Sequence, residues 1–365
     1  MKKPAEQNSP ARKRFFVRAG HKTNTMINAA IVGLGWWGKT LVEAVQQDSQ
    51  EIRFVAGTTR TQTPEVQAFA DQQRFTLAGT YEELLANPKV DALVLATPHS
   101  MHAQQVIAAA AAKKHIFCEK PFALETEEAQ HAVDAAQRAG VTLGLGYNRR
   151  FHPEIAKLRT QIRAGELGTI LHVEATMTFP NALLLKPDAW RADAHETPCG
   201  GLTPMGVHAV DGMIDLCGPI DHVFAQSFRR AVLVDNDDTT SILFRMKEGM
   251  SGYLGTMTAT GPGFSFQVFG SKGWVRLEGM THVAGAPSEE RRTRLFGTCK
   301  FQPIKGPAQI WEAERMDVTR AALEAFARAA QGGPPFPIPT SEMVHGVAVT
   351  EAIVRSAASG KVEQV

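Results

Sequence analysis

From Ile27 to about Tyr147, short β-branched apolar runs alternate with longer stretches whose apolar positions recur at helical spacing, and Gly or Pro punctuates most of the joins. That alternation is the signature of parallel strands connected by helices. It predicts strands at Ala29–Val32, Ile52–Ala56, Ala92–Ala96, His115–Cys118 and Val141–Leu145. The helices expected between them cover Lys39–Gln47, Pro64–Gln73, Tyr81–Ala86, His102–Lys113 and Glu127–Ala139. After about Arg150 the pattern changes, and extended segments follow one another at 170–179, 223–234, 239–246, 251–260, 264–270 and 273–278. Strand after strand argues a largely antiparallel sheet. A helix at about Trp311–Ala330, a Gly332-Gly333-Pro334-Pro335 break and a last helix at Glu342–Ser359 close the chain. The expected class is α/β: a doubly wound parallel sheet over residues 26–148, then an α+β domain over 149–365 with a large, mostly antiparallel open sheet. The terminal helix, 342–359, is placed to pack back on the first domain.

A chain of 365 residues exceeds what one hydrophobic core usually supports, which agrees with two domains. A formal net charge of +2 gives no reason to expect a nucleic-acid partner. The average conceals a basic leader: residues 1–25 carry seven Lys or Arg against Glu6 alone, a charge of +6 that leaves −4 for the rest. Its Arg12-Lys13-Arg14-Phe15-Phe16 has the charge pattern of an export signal, but Ala19-Gly20-His21-Lys22-Thr23-Asn24-Thr25 follows instead of the required apolar stretch of about 7 to 15 residues. Residues 1–25 are therefore expected to be a disordered extension, with Met26 an equally good true start. No run of about 18 or more apolar residues suggests a membrane span. Cys118, Cys199, Cys217 and Cys299 lie far apart, without a Cys-x-x-Cys pair, and the histidines show no metal spacing. A cytoplasmic protein without a bound metal is expected.

The chemistry starts at Gly33, Gly35 and Gly38, in Gly-x-Gly-x-x-Gly spacing between the first strand and the first helix. In that context the glycines permit a tight turn, backbone approach to a pyrophosphate and close helix packing, and the helix N-terminus attracts phosphates. Trp36 and Trp37 sit inside this loop, beside the pyrophosphate position. Ligands of such sheets bind beyond the strand C-termini, so Thr58-Thr59-Arg60, Thr97-Pro98-His99 and Glu119-Lys120-Pro121 should share one crevice. The end of the second strand lacks the acidic residue that receives an NAD ribose, and Arg60 with two hydroxyls suits a 2′-phosphate. NADP is favoured, with NAD possible.

The succession Gly33-x-Gly35-x-x-Gly38, Thr97-Pro98-x-x-x-His102, Glu119-Lys120-Pro121, Tyr147-Asn148-Arg149-Arg150-Phe151-x-Pro153, Trp190-Arg191 and Gly206-Val207-His208-x-x-Asp211 resembles the Gfo/Idh/MocA family from about residue 27 to 360. The resemblance implies an N-terminal Rossmann domain and NAD(P)-dependent oxidation or reduction of sugars, cyclitols or related diols, with dihydrodiols included. It also implies a homo-oligomer formed through the C-terminal sheet. It makes Lys120 and His208 the catalytic pair, with Lys120 also touching substrate and nicotinamide ribose and the Lys120-Pro121 bond a candidate for cis. His99, His102, Glu119, Asn148, Trp190 and Arg191 are expected around the cofactor, and Arg150 and Thr203 with the catalytic pair around substrate. Asp211, one turn after His208, could orient the imidazole. One departure stands out: four residues before the histidine, dehydrogenases of this family commonly carry an aspartate, and here it is Pro204. Either Lys120 and His208 work without that acid, or Thr203, Asp193 or Glu196 assists, or catalysis is lost and the chain is a dinucleotide-binding sensor.

Overall fold

The apolar run from Ile27 to Val32 forms β1 (Ile27–Val32), whose Ala29, Ala30 and Ile31 have no exposed surface, as a central parallel strand requires. The computed structural model describes residues 26–281, 285 and 287–365, so the basic leader lies outside the described residues. The chain continues through α1 (Trp36–Val45), β2 (Ile52–Thr58), α2 (Pro64–Gln73), β3 (Thr76–Leu77), α3 (Tyr81–Ala86), β4 (Ala92–Leu95), α4 (His102–Ala111), β5 (His115–Cys118), α5 (Thr126–Ala139) and β6 (Leu143–Leu145). The six strands pair in parallel in the order β3-β2-β1-β4-β5-β6. The order reverses between β1 and β4, which opens a crevice beyond their C-terminal ends.

The remainder comprises α6 (Pro153–Arg163), β7 (Ile170–Thr178), α7 (Val207–Cys217), β8 (Ile220–Phe228), β9 (Thr239–Met246), β10 (Ser251–Met257), β11 (Gly263–Gly270), β12 (Gly273–Gly279), α8 (Ser288–Thr293), β13 (Phe296–Pro303), β14 (Gln309–Glu312), α9 (Val318–Ala330), α10 (Thr340–Ser359) and β15 (Glu363–Gln364). Nine strands form an open sheet in the order β14-β13-β12-β11-β7-β10-β9-β8-β15, antiparallel except for the β7–β10 pair. Alternate residues of its strands, such as Val173, Ala175 and Met177 on β7 and Ile242, Phe244 and Met246 on β9, share a core with Ala209, Val210, Met213 and Ile214 of α7.

Both C-terminal helices return to the first sheet. Leu323, Phe326 and Ala327 of α9 pack with Ile31 and Phe54. On α10, Met343 and Val347 join the first core, whereas Val349, Ala352 and Ile353 join the second. Glu351 accepts from the Thr126 N–H at 2.9 Å and its hydroxyl at 2.5 Å, tying α10 to the start of α5.

Two expectations are corrected. The helix expected from Trp311 begins only at Val318: Trp311 and Glu312 instead pair with Cys299 and Thr298 on β13, and the Asp317 carboxylate caps α9 at the Arg320 N–H. The strand expected over 223–234 spans 220–228. It stops there because the Arg230, Ala231 and Val232 N–H groups all donate to the Asp238 carboxylate rather than to a neighbouring strand.

Candidate active site

Two of the three loop glycines are required by the protein itself. Gly33 has φ +96°, and a Cβ there would lie 2.6 Å from the Ala96 carbonyl oxygen. A Cβ on Gly38 would overlap the Gly33 carbonyl. Gly35 differs, because a Cβ there would meet nothing within 4 Å. The space it leaves open lies at the N-terminus of α1, where no side chain caps the free N–H groups and no acid occupies the first turn. Room and unsatisfied donors together fit the pyrophosphate of a dinucleotide. Trp36 is half exposed beside this loop, edge-on to Trp37 at 5.4 Å and with the Arg291 guanidinium 5.2 Å from its ring. At the end of β2 the Thr58 hydroxyl is turned inward to the Ala78 carbonyl, at 3.1 Å, while Thr59 is half-buried and Arg60 exposed.

The loops after β4 and β5 are tied together beneath the crevice by His102. Its Nδ1 lies 2.7 Å from the Pro121 carbonyl and its Nε2 3.1 Å from that of Thr97. The ring has no exposed surface, so the contact with cofactor expected for His102 gives way to a bracing one. His99 is likewise held by protein: Nδ1 donates to the Glu196 carbonyl at 2.7 Å and the ring stands edge-on to Trp190 at 5.0 Å. Burial pushes its pKa far down, which keeps the imidazole neutral. Thr97 donates to Gln105 at 2.6 Å, and Pro98 leads half-buried into the His99 turn. The Arg191 guanidinium lies 4.1 Å from the Trp190 ring. Asn148 donates its amide to the Thr319 hydroxyl of α9 at 3.2 Å.

Lys120 reaches across the cleft. The Lys120–Pro121 peptide is cis, and the Nζ donates at 2.8 Å to the carbonyl of Pro204, in the turn (Leu202–Gly206) that feeds α7 and His208. The residue that cannot supply an acid thus supplies an acceptor through its backbone. Withdrawal from water lowers the Lys120 pKa to about 8; Glu119 opposes this, and Arg191 and Arg149 reinforce it. Glu119 is buried, which raises its own pKa against the pull of Lys120.

None of the proposed substitutes for the missing acid stands against Lys120 by hydrogen bond. Thr203 donates to the Pro198 carbonyl at 2.7 Å, Glu196 accepts from the Ser100 N–H and hydroxyl, and Asp193 accepts from the His195 N–H. His208 is buried at the start of α7, its ring 6.1 Å from that of Tyr147. Asp211 follows on the same helix, one turn later. Its carboxylate is taken by Arg150, from Nη2 at 2.6 Å and Nε at 2.9 Å, and the Arg150 Nη1 also meets Glu342 at 2.5 Å and Asp215 at 3.5 Å. Arg150, expected at substrate, lines the cavity beside His208 but commits its guanidinium to a junction between the turn after β6, α7 and α10. Its buried neighbour Arg149, which no sequence motif singles out, lines the same cavity with His208, Asp211, Phe264, Phe266 and Phe296.

The family model described as "Oxidoreductase family, NAD-binding Rossmann fold" matches residues 27–147, and that of the "GFO/IDH/MocA C-terminal domain" matches residues 155–276. The chain is 32% identical over 345 residues to the rhizopine catabolism protein MocA of Rhizobium meliloti, covering 90% of this chain and 94% of that one. It is 27% identical to a D-xylose 1-dehydrogenase (NADP(+)) of Haloferax volcanii, over 88% of this chain and 94% of the relative. Among solved structures, the aldose-aldose oxidoreductase of Caulobacter crescentus shares the fold with a TM-score of 0.81 at 22% identity, covering 93% of this chain and all of that one. With both domain models and a near full-length relative in agreement, the chain belongs to the Gfo/Idh/MocA family of oxidoreductases.

Proposed function

We propose that the protein transfers a hydride between a nicotinamide dinucleotide and a secondary alcohol or ketone of a sugar, cyclitol or related diol. The observation that carries this reading is the Lys120 amine, held on the Pro204 carbonyl across the cleft from the glycine loop and with its pKa lowered to about 8. Bound NAD(P) supplies the hydride acceptor or donor. Lys120, as the free amine, takes the proton of the substrate hydroxyl; as the ammonium it returns the proton and stabilises the developing alkoxide in the reverse direction. The Pro204 carbonyl fixes the amine without competing for that proton. His208, one turn beyond, orients the substrate oxygen. The name of the xylose-oxidising relative supports a carbohydrate substrate.

This assignment predicts a pH profile. With Lys120 as the base, kcat/KM for oxidation should rise with pH through an apparent pKa near 8 and then level, and reduction should fall through the same point. Glu119→Gln removes the charge that holds the amine protonated, so the midpoint should move to lower pH. A profile flat from pH 6 to about 10 would remove Lys120 from the proton transfer.

For the cofactor, the absence of a carboxylate on Thr58-Thr59-Arg60 and the exposure of Arg60 support NADP. NADPH should bind more tightly than NADH, and Arg60→Ala should weaken NADPH by about tenfold, the worth of a charged hydrogen bond, with NADH little changed. Equal affinities in the wild type, by fluorescence titration, would refute the preference. Leu171, Phe228 and Leu243 are exposed on the open sheet, which supports pairing of two copies through that face. The four cysteines are free and buried, which supports a reducing, cytoplasmic compartment.

A further inference from the structure

The acids that saturate Arg150 leave Arg149 with none. The Arg149 side chain is buried, with 6% of the residue exposed, yet its Nη1 has no hydrogen-bond partner and its guanidinium makes no ion pair among the described residues. The Phe264 ring lies 4.4 Å from it. Burial lowers its pKa to about 9, and no nearby acid pulls it back. An uncompensated guanidinium in a protein interior costs several kcal/mol, so interiors pair such groups almost without exception. Here Arg149 lies in the wall of a small cavity shared with Arg150, His208, Asp211 and the rings of Phe264, Phe266 and Phe296. The acid nearest in that wall, Asp211, is spent on Arg150. Across the site Lys120 feels Arg149 and Arg191 as two further positive charges, against the single carboxylate of Glu119.

We propose that the substrate is a polyhydroxylated carboxylate, of the uronic or aldonic acid class, whose carboxylate pairs with Arg149 while a secondary hydroxyl faces Lys120 and His208. The proposal rests on the hydride-transfer reading and narrows it. A planar carboxylate matches the two parallel N–H groups of a guanidinium edge.

The test measures kcat/KM with NADP for D-glucuronate, D-gluconate and the methyl ester of D-glucuronate, which keeps the hydroxyls and loses the charge. Glucose 6-phosphate and myo-inositol complete the panel. The acid should be preferred over its ester by about 10- to 100-fold, the worth of a charged hydrogen-bonded pair. Arg149→Gln should bring that ratio close to one, and Arg149→Lys should keep part of it. As a second readout, millimolar glucuronate should raise the melting temperature of the NADPH-loaded wild type but not of Arg149→Gln. Equal use of acid and ester, a ratio that survives Arg149→Gln, or a preference for the sugar phosphate overturns the proposal. Turnover of myo-inositol alone overturns it and leaves the broader function standing. Arg149-dependent stabilisation by glucuronate without turnover of any compound supports the Arg149 assignment and rejects hydride transfer.

Discussion

Lys120→Met should lower kcat for alcohol oxidation by about 10²- to 10⁴-fold, the contribution of a positioned proton acceptor, with a much smaller change in KM. Methionine keeps an unbranched stem of similar length and removes only the amine, so the circular dichroism and thermal midpoint should stay near those of the wild type. The Pro204 carbonyl loses one donor, but it lies in a half-buried turn at the cleft, where water replaces it. Lys120→Arg separates charge from proton transfer. A guanidinium keeps the positive field but does not deprotonate near pH 8, so it should leave kcat low and abolish the rise of oxidation with pH. Activity of Lys120→Met within threefold of the wild type would exclude the amine as the base.

Arg150→Met should act on stability rather than on chemistry. Without the guanidinium, Asp211 and Glu342 lose their shared cation while Asp215 keeps Arg159, and breaking a buried pair in this way costs about 3–5 kcal/mol. The pH dependence has a definite sign. Burial already lifts the Asp211 pKa to about 7 against the pull of Arg150, and removing Arg150 lifts it further. A carboxyl whose folded pKa lies above its unfolded value takes up a proton on folding, so its penalty grows as pH rises from about 4 through the folded pKa. The difference in urea midpoint between wild type and variant should therefore be small near pH 5 and large near pH 8. Asp211→Asn in the same chain should recover part of the loss, because it removes one of the stranded charges. An unchanged midpoint at pH 8 would show that the junction is not structural.

The parts of the molecule that proved legible are those written in local chemistry. Thr63 and Thr80 cap α2 and α3 by accepting the Val66 and Glu83 N–H groups, and both helices have the bounds expected for them. The glycine loop was readable because the positive φ of Gly33 and the contact of Gly38 with the Gly33 carbonyl are constraints inside the motif. Less legible was whatever depends on a distant partner. Trp311 and Glu312 have no local property that distinguishes a strand from a helix start, and only the neighbouring β13 decides between them. Pro204 could be read as a missing acid, since a sequence shows side chains; that its carbonyl would receive Lys120 follows from the turn before α7. The pair Arg149 and Arg150 is the sharpest case. Adjacent arginines in a one-turn 3-10 helix carry no periodicity that says which pairs with the carboxylates of α7 and α10 and which lines the cavity without an acid of its own. The signal that separates them is the count of acids within reach, which exists only once the domains are packed.

The protein is proposed to move a hydride between substrate carbon and nicotinamide while the Lys120 amine carries the proton. This is tested most directly by a single turnover of NADP-loaded enzyme with a substrate deuterated at the reacting carbon. One equivalent of reduced nicotinamide bearing that deuterium is expected from the wild type, with Lys120→Met forming it about 10²- to 10⁴-fold more slowly. Tight cofactor binding without deuterium transfer from any polyol, aldose or sugar acid would contradict it.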